Sequence, residues 1–116
     1  MLQRYTCSVE DIERLRYPGV YRVKFRCGDV SIELEFHEKV MPPLKKGGNA
    51  TIVLTDSREE CLQHYFCGKG SVVSNRSIGE TYRAIVSIGG FLLVLKSAQQ
   101  LDLKPLDEVY TGVSVS

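Results

Sequence analysis

The stretch Val20-Tyr21-Arg22-Val23-Lys24-Phe25-Arg26-Cys27-Gly28-Asp29-Val30-Ser31-Ile32-Glu33-Leu34-Glu35-Phe36 alternates between apolar and polar residues on both sides of a Gly-Asp pair. In its first half Tyr21, Val23, Phe25 and Cys27 share one phase, and Arg22, Lys24 and Arg26 share the other. In its second half Val30, Ile32, Leu34 and Phe36 alternate with Ser31, Glu33, Glu35 and His37. A period of two puts each set on its own face of an extended chain, and Gly28-Asp29 suits a tight turn, so the stretch predicts a β-hairpin. With Cys27 facing Val30, Lys24 lies opposite Glu33 and Arg22 opposite Glu35, which predicts cross-strand ion pairs on the solvent face. The basic stripe is thereby neutralised.

Working outward, Gly89-Gly90 joins two β-rich runs, residues 81–88 and 91–96, as a second hairpin. With Ile88 facing Phe91, its pairs are Val86 with Leu93, Ile85 with Val94, and Arg83 with Lys96. The last pair sets like charges face to face, which is unfavourable unless an anion lies nearby. Leu92, Leu93, Val94 and Leu95 are apolar on both phases, which predicts a strand covered on both faces, by its own core and by a loop, helix or partner. Further strands are expected at 3–9, 51–55, 65–75 and 109–115, for about eight in all.

Helical signals are minor. Ser57-Arg58-Glu59-Glu60 is a capping-box pattern for one or two turns reaching His64. Ser8-Val9-Glu10-Asp11 suits either another short helix or a continued strand. Residues 41–48, Met-Pro-Pro-Leu-Lys-Lys-Gly-Gly, form a basic connection. The pattern implies a small, mostly antiparallel barrel or sandwich.

Composition narrows the function. The chain has 116 residues, with 15 Lys and Arg against 14 Asp and Glu, and 43% hydrophobic residues, as expected of one globular domain spanning 1–116. A net charge of +1 argues against the broad basic field of an autonomous nucleic-acid binder. No apolar run approaches the ~20 residues of a membrane span, and the first residues lack a signal-peptide core, so the chain is read as cytoplasmic and without a membrane partner. Cys7, Cys27, Cys61 and Cys67 are accordingly expected as reduced thiols.

Material for chemistry is sparse. Cys61, His64 and Cys67 have C-x2-H-x2-C spacing and are weak metal-ligand candidates, short of the paired knuckles of a zinc site. His37 and His64 are read as surface or structural residues, and no signature of a thiol enzyme surrounds Cys67. Cys67-Gly68-Lys69-Gly70 is not a phosphate loop, because a strand rather than a helix follows; its glycines are expected to mark a bulge or bend. No catalytic residue, cofactor or small-molecule substrate is expected. Single-strand nucleic-acid binding remains open through a groove of Tyr82, Lys69, Arg83 and Lys96.

The run Tyr65-Phe66-Cys67-Gly68-Lys69-Gly70-Ser71-Val72-Val73, followed by Gly79-Glu80-Thr81-Tyr82-Arg83 and above all by Val86-Ser87-Ile88-Gly89-Gly90-Phe91-Leu92-Leu93, resembles the G subunit of archaeal DNA-directed RNA polymerase. That family is the counterpart of the eighth subunit shared by the eukaryotic nuclear polymerases. Arg22-Val23, the run from Gly48 to Leu54 and Leu106-Asp107-Glu108-Val109-Tyr110 extend the resemblance over nearly the whole chain. Two departures are evident. The chain has the short segment 56–64 where eukaryotic members carry a longer acidic insertion, and Phe91 where leucine is usual. The resemblance implies an all-β, OB-like antiparallel barrel acting as a non-catalytic accessory and assembly subunit of DNA-directed RNA polymerase, docked on the largest subunit. On that reading Tyr82, Arg83, Gly89, Gly90, Phe91 and Lys96 are the expected partner-binding residues, and contact with nucleic acid in the complex is left open.

Overall fold

In the computed structural model, which describes residues 2–116, eight strands and one short helix follow in order. The elements are β1 (Leu2–Arg14), β2 (Val20–Cys27), β3 (Val30–His37), β4 (Asn49–Thr55), α1 (Arg58–Cys61), β5 (Phe66–Ile78), β6 (Thr81–Ile88), β7 (Phe91–Ser97) and β8 (Glu108–Val115). Every ladder is antiparallel. The sheet closes on itself in the order β1-β2-β3-β7-β6-β5-β8-β4, with β4 returning to β1. Of the alternatives the pattern allowed, the molecule is the barrel.

Both hairpins have the expected register. Cys27 pairs with Val30, and Arg22 with Glu35. Ile88 pairs with Phe91, and Arg83 with Lys96. Gly89 and Gly90 take φ of 58° and 92°, the left-handed turn that only glycine enters without strain and that matches the strand twist. The Arg22 guanidinium meets Glu35 at 3.2 Å and Glu13 at 3.1 Å. Lys24 and Glu33 are paired in register but are absent from the ion pairs among the described residues.

The inward phase fills the barrel: Val23, Phe25, Ile32, Leu34, Phe36, Ile52, Leu54, Val86, Leu93 and Leu95 are all essentially inaccessible. Phe36 meets Phe66 edge to face, with ring centroids 5.0 Å apart and planes at 81°. Strand β7 is covered on one face only. Leu93 and Leu95 are buried, whereas Leu92 on the outer phase is 39% exposed and Val94 is half-buried.

Two strands are longer than the sequence pattern suggests, and both carry a bulge. The first, β1, runs on to Arg14 and excludes a helix at residues 8–11: its first half pairs with β4 and its second with β2, across an irregularity between Val9 and Asp11. The second, β5, pairs through Phe66–Ser71 with β8 and through Ser71–Ile78 with β6, with the irregularity between Val72 and Ser74. Gly68 and Gly70 do not make that bulge. They sit in regular register with Thr111 and Val109, and a Cβ on either would strike β6 side chains within 3 Å. Beyond the bulge Asn75 anchors the 98–107 segment, its Nδ2 donating to the carbonyls of Leu101 at 2.7 Å and Leu103 at 2.8 Å.

The cysteines depart from expectation. Cys7 and Cys27 are joined as a disulfide across β1 and β2, and Cys61 and Cys67 join α1 to β5. A missing secretion signal, the ground for expecting reduced thiols, carries no information on distance. Ser8 pairs with Arg26, and that register sets Cys7 beside Cys27 with their Cα atoms 4.2 Å apart. Bonded thiols lock two neighbouring segments without any signature in linear spacing.

Candidate partner-binding surface

Five of the six residues expected to meet a partner fall into two places on the β6–β7 hairpin. At its tip Gly89, Gly90 and Phe91 border a cleft of about 370 Å³ with Leu15, Tyr17 and Val20, and Tyr17 is 72% exposed. Glu35 closes one side, its carboxylate accepting from the Leu92 amide at 2.9 Å and paired with Arg22. Toward the other end Arg83 and Lys96 stand opposite each other on the outer face, roughly 17 Å from the turn at ~3.4 Å per residue. Tyr82 separates from them. It pairs with Ser97 and Ser77, on the phase of the buried Ala84 and Val86.

Sequence reasoning missed a third cation in this row. Arg76 on β5 pairs with Arg83, so Arg76, Arg83 and Lys96 run side by side across three strands on the outer face. Counting by twos from buried Val72 points Arg76 inward; the bulge between Val72 and Ser74 inverts the phase and turns it out. On the far side of Lys96 the row continues through Ser31 to Arg26, which Glu10 meets at 3.5 Å.

The single-strand groove is not assembled. Lys69 lies on the half of β5 that pairs with β8, and its ammonium is held by Glu108 at 2.9 Å. That bond and the glutamate charge raise the Lys69 pKa, with the burial effect opposing. Seven positions of β5 separate it from Arg76, roughly 20 Å along the strand.

The metal candidates are engaged elsewhere. Cys61 and Cys67 are bonded to each other, and the His64 Nδ1 lies 2.7 Å from the Ser114 hydroxyl. Among the described residues no trio of His, Cys, Asp and Glu is gathered to hold a metal ion. Helix α1 begins at the expected cap, where Ser57 Oγ accepts the Glu60 amide at 3.2 Å, and the turn continues to His64. The His64 ring covers Gly112 on β8, where a Cβ would lie 2.8 Å from it.

Desolvation lowers the His64 pKa from its usual 6.5; the Arg4 charge adds to this and Glu60 opposes it. The unfolded imidazole therefore takes up protons before the folded one, so the unfolded state binds more protons as pH falls through about 6.5. Stability contributed by neutral His64 is present above that pH and lost below it. Urea midpoints measured between about pH 7.5 and pH 5 should decline, and His64→Gln should flatten part of that decline. An identical slope in both chains would exclude His64 as the source.

No curated protein matches the chain. Among solved structures, the cytoplasmic molybdate-binding protein ModG, with molybdate bound, aligns over 97% of this chain and 89% of its own at 12% identity and a TM-score of 0.38. A β-barrel-like protein from Brucella abortus aligns over 97% of this chain and 71% of its own at 8% identity and a TM-score of 0.31. Neither likeness is close enough to carry function. The family model of the DNA-directed RNA polymerase G subunit, RpbG, matches residues 2–116, and the chain therefore belongs to that family of polymerase subunits.

Proposed function

We propose that the chain is a non-catalytic accessory and assembly subunit that docks on the largest polymerase subunit through the outer face of its β6–β7 hairpin. The observation that carries this reading is the Arg83–Lys96 pair. Two cations stand opposite each other with no ion pair to any carboxylate among the described residues, beside an apolar outer row of Ile85 and Val94. Like charges in that position weaken the sheet unless a partner supplies anions, and an apolar row beside them suits a protein surface. Nucleotide addition on this reading belongs to other subunits, and the chain contributes shape and charge in the cytoplasmic complex.

The test is recovery of polymerase on a tagged chain washed at moderately high salt. The large subunits should appear in near-equal amounts, and the chain co-expressed with the largest subunit alone should still retain it. The double variant Arg83→Glu/Lys96→Glu should reduce recovery by tenfold or more, since reversing charges at a desolvated contact leaves the partner's groups unpaired, at about 1.4 kcal/mol per tenfold. Undiminished recovery would remove this face from the docking surface.

A further inference from the structure

We infer that the cation row Arg76–Arg83–Lys96 seats an acidic helix of the partner subunit, lying across β5, β6 and β7 with carboxylates one helical turn apart. The inference rests on the docking reading above and adds the chemistry and shape of what is docked. Three observations support it: the row itself, its spacing, and the apolar row beside it.

The three side chains occupy neighbouring strands at one level of the barrel, and none forms an ion pair among the described residues. Arg76 and Lys96 are exposed, while the Nε of Arg83 is buried without a hydrogen-bond partner. A guanidinium nitrogen left unsatisfied between two other cations creates a local demand for acceptors that water meets poorly. Three carboxylates near the row are engaged or offset: Glu10 is on Arg26, Glu35 on Arg22, and Glu33 sits in the next row opposite Val94.

Spacing selects the ligand. Adjacent strands lie about 4.8 Å apart, and on the convex face of a barrel side chains splay, so the charged ends are somewhat farther apart than the backbones. The backbones of the three residues therefore span about 10 Å, and their long side chains reach acceptors over that length or more. Carboxylates on one side of a helix recur every turn, about 5.4 Å, and three of them span about 11 Å. Same-side residues of an extended segment recur about every 6.8 Å, but such a segment turns a single face to the sheet and meets one row rather than two. One step along the strands lies a parallel row of Ser74, Ile85 and Val94, with Ile85 and Val94 half-buried. An amphipathic helix with an acidic stripe next to an apolar one fits both rows at once.

Carbodiimide crosslinking of polymerase purified with the chain tests this, because the reagent joins an amine to a carboxylate it already touches. Lys96 reports directly; Arg76→Lys and Arg83→Lys keep their charge and make the other two positions reactive. The expected result is three crosslinks to acidic residues of one partner segment, three or four positions apart in its sequence. Carboxylates two positions apart, carboxylates scattered over the partner, no crosslink at all, or ultraviolet crosslinking of these positions to nucleic acid instead would each overturn it. Failure of the chain to carry polymerase would overturn the docking reading itself, a distinguishable result. Lys96→Glu separates binding from folding. Placing an anion opposite Arg83 should raise the Tm of the isolated chain by about 2 °C while reducing polymerase recovery tenfold or more. A loss of recovery accompanied by a lowered Tm would count against a binding role for Lys96.

Discussion

Gly70→Ala is expected to lower the stability of the barrel by about 3 kcal/mol, at the upper end of what overpacking a well-filled interior costs. Gly70 is buried on β5 at the point where that strand stops pairing with β8 and begins pairing with β6. A Cβ there would lie 2.7 Å from the Ser87 carbonyl oxygen and 2.8 Å from both Ile88 Cγ1 and Val86 Cγ1. The side chains could rotate. The carbonyl is backbone of β6 and can retreat only by opening the seam between the two strands. A urea midpoint shift of about 1 M or more is the expected reading, since a small domain loses about 1–3 kcal/mol of stability per molar urea. A midpoint within about 0.3 M of the parent would mean that β5 and β6 can part at this level without loss.

Phe36→Ala should cost more, about 4 kcal/mol, which is a large share of the roughly 5–15 kcal/mol available to a domain. Its ring is 1% exposed, and it is held edge to face against Phe66, so truncation removes buried area and an aromatic contact together. Phe36 also backs a small cleft of about 210 Å³ lined by Ile88 and Phe91, the residues flanking the β6–β7 turn. Collapse is resisted on the β2 side, where Phe36 pairs with Tyr21, whereas the β3–β7 ladder already ends at Leu34. Phe36→Leu, which keeps most of the apolar volume, should lose about half as much. Equal losses for leucine and alanine would show that the aromatic pair, rather than the filled space, dominates at this site.

What is legible in the sequence is local. Two alternating runs around Gly28-Asp29 and Gly89-Gly90 specify their own pairing, because turn and phase agree, and both registers hold to the residue. The cation pair Arg83–Lys96 follows from that register. Arg76 does not, since its orientation depends on a bulge between Val72 and Ser74 that no turn residue announces. The glycines nearby suggest a bulge of their own, yet they answer to the close approach of Ile88 and Val86 from β6. The cysteine pairs are equally hidden: which thiols meet depends on β1 lying beside β2 and on α1 folding back to β5, both tertiary facts. Nor can the chain alone reveal that the outer face of β7 is left open, because an apolar run reads the same whether its cover is its own chain or another.

The place of β8 between β4 and β5 has a kinetic consequence. The hairpins β2–β3 and β6–β7 close over two-residue turns and can form within microseconds. Residues 108–115 must instead find two strands at once, β4 more than fifty positions back and β5 about forty, and each ladder is of little worth until the other is in place. Folding should therefore wait on non-local pairings, the β3–β7 ladder and this insertion, and proceed in milliseconds to seconds, as non-local all-β topologies do. Until the insertion happens, β4 and β5 have their unmatched sides turned to solvent, and a chaperone or a second chain would compete for the same gap.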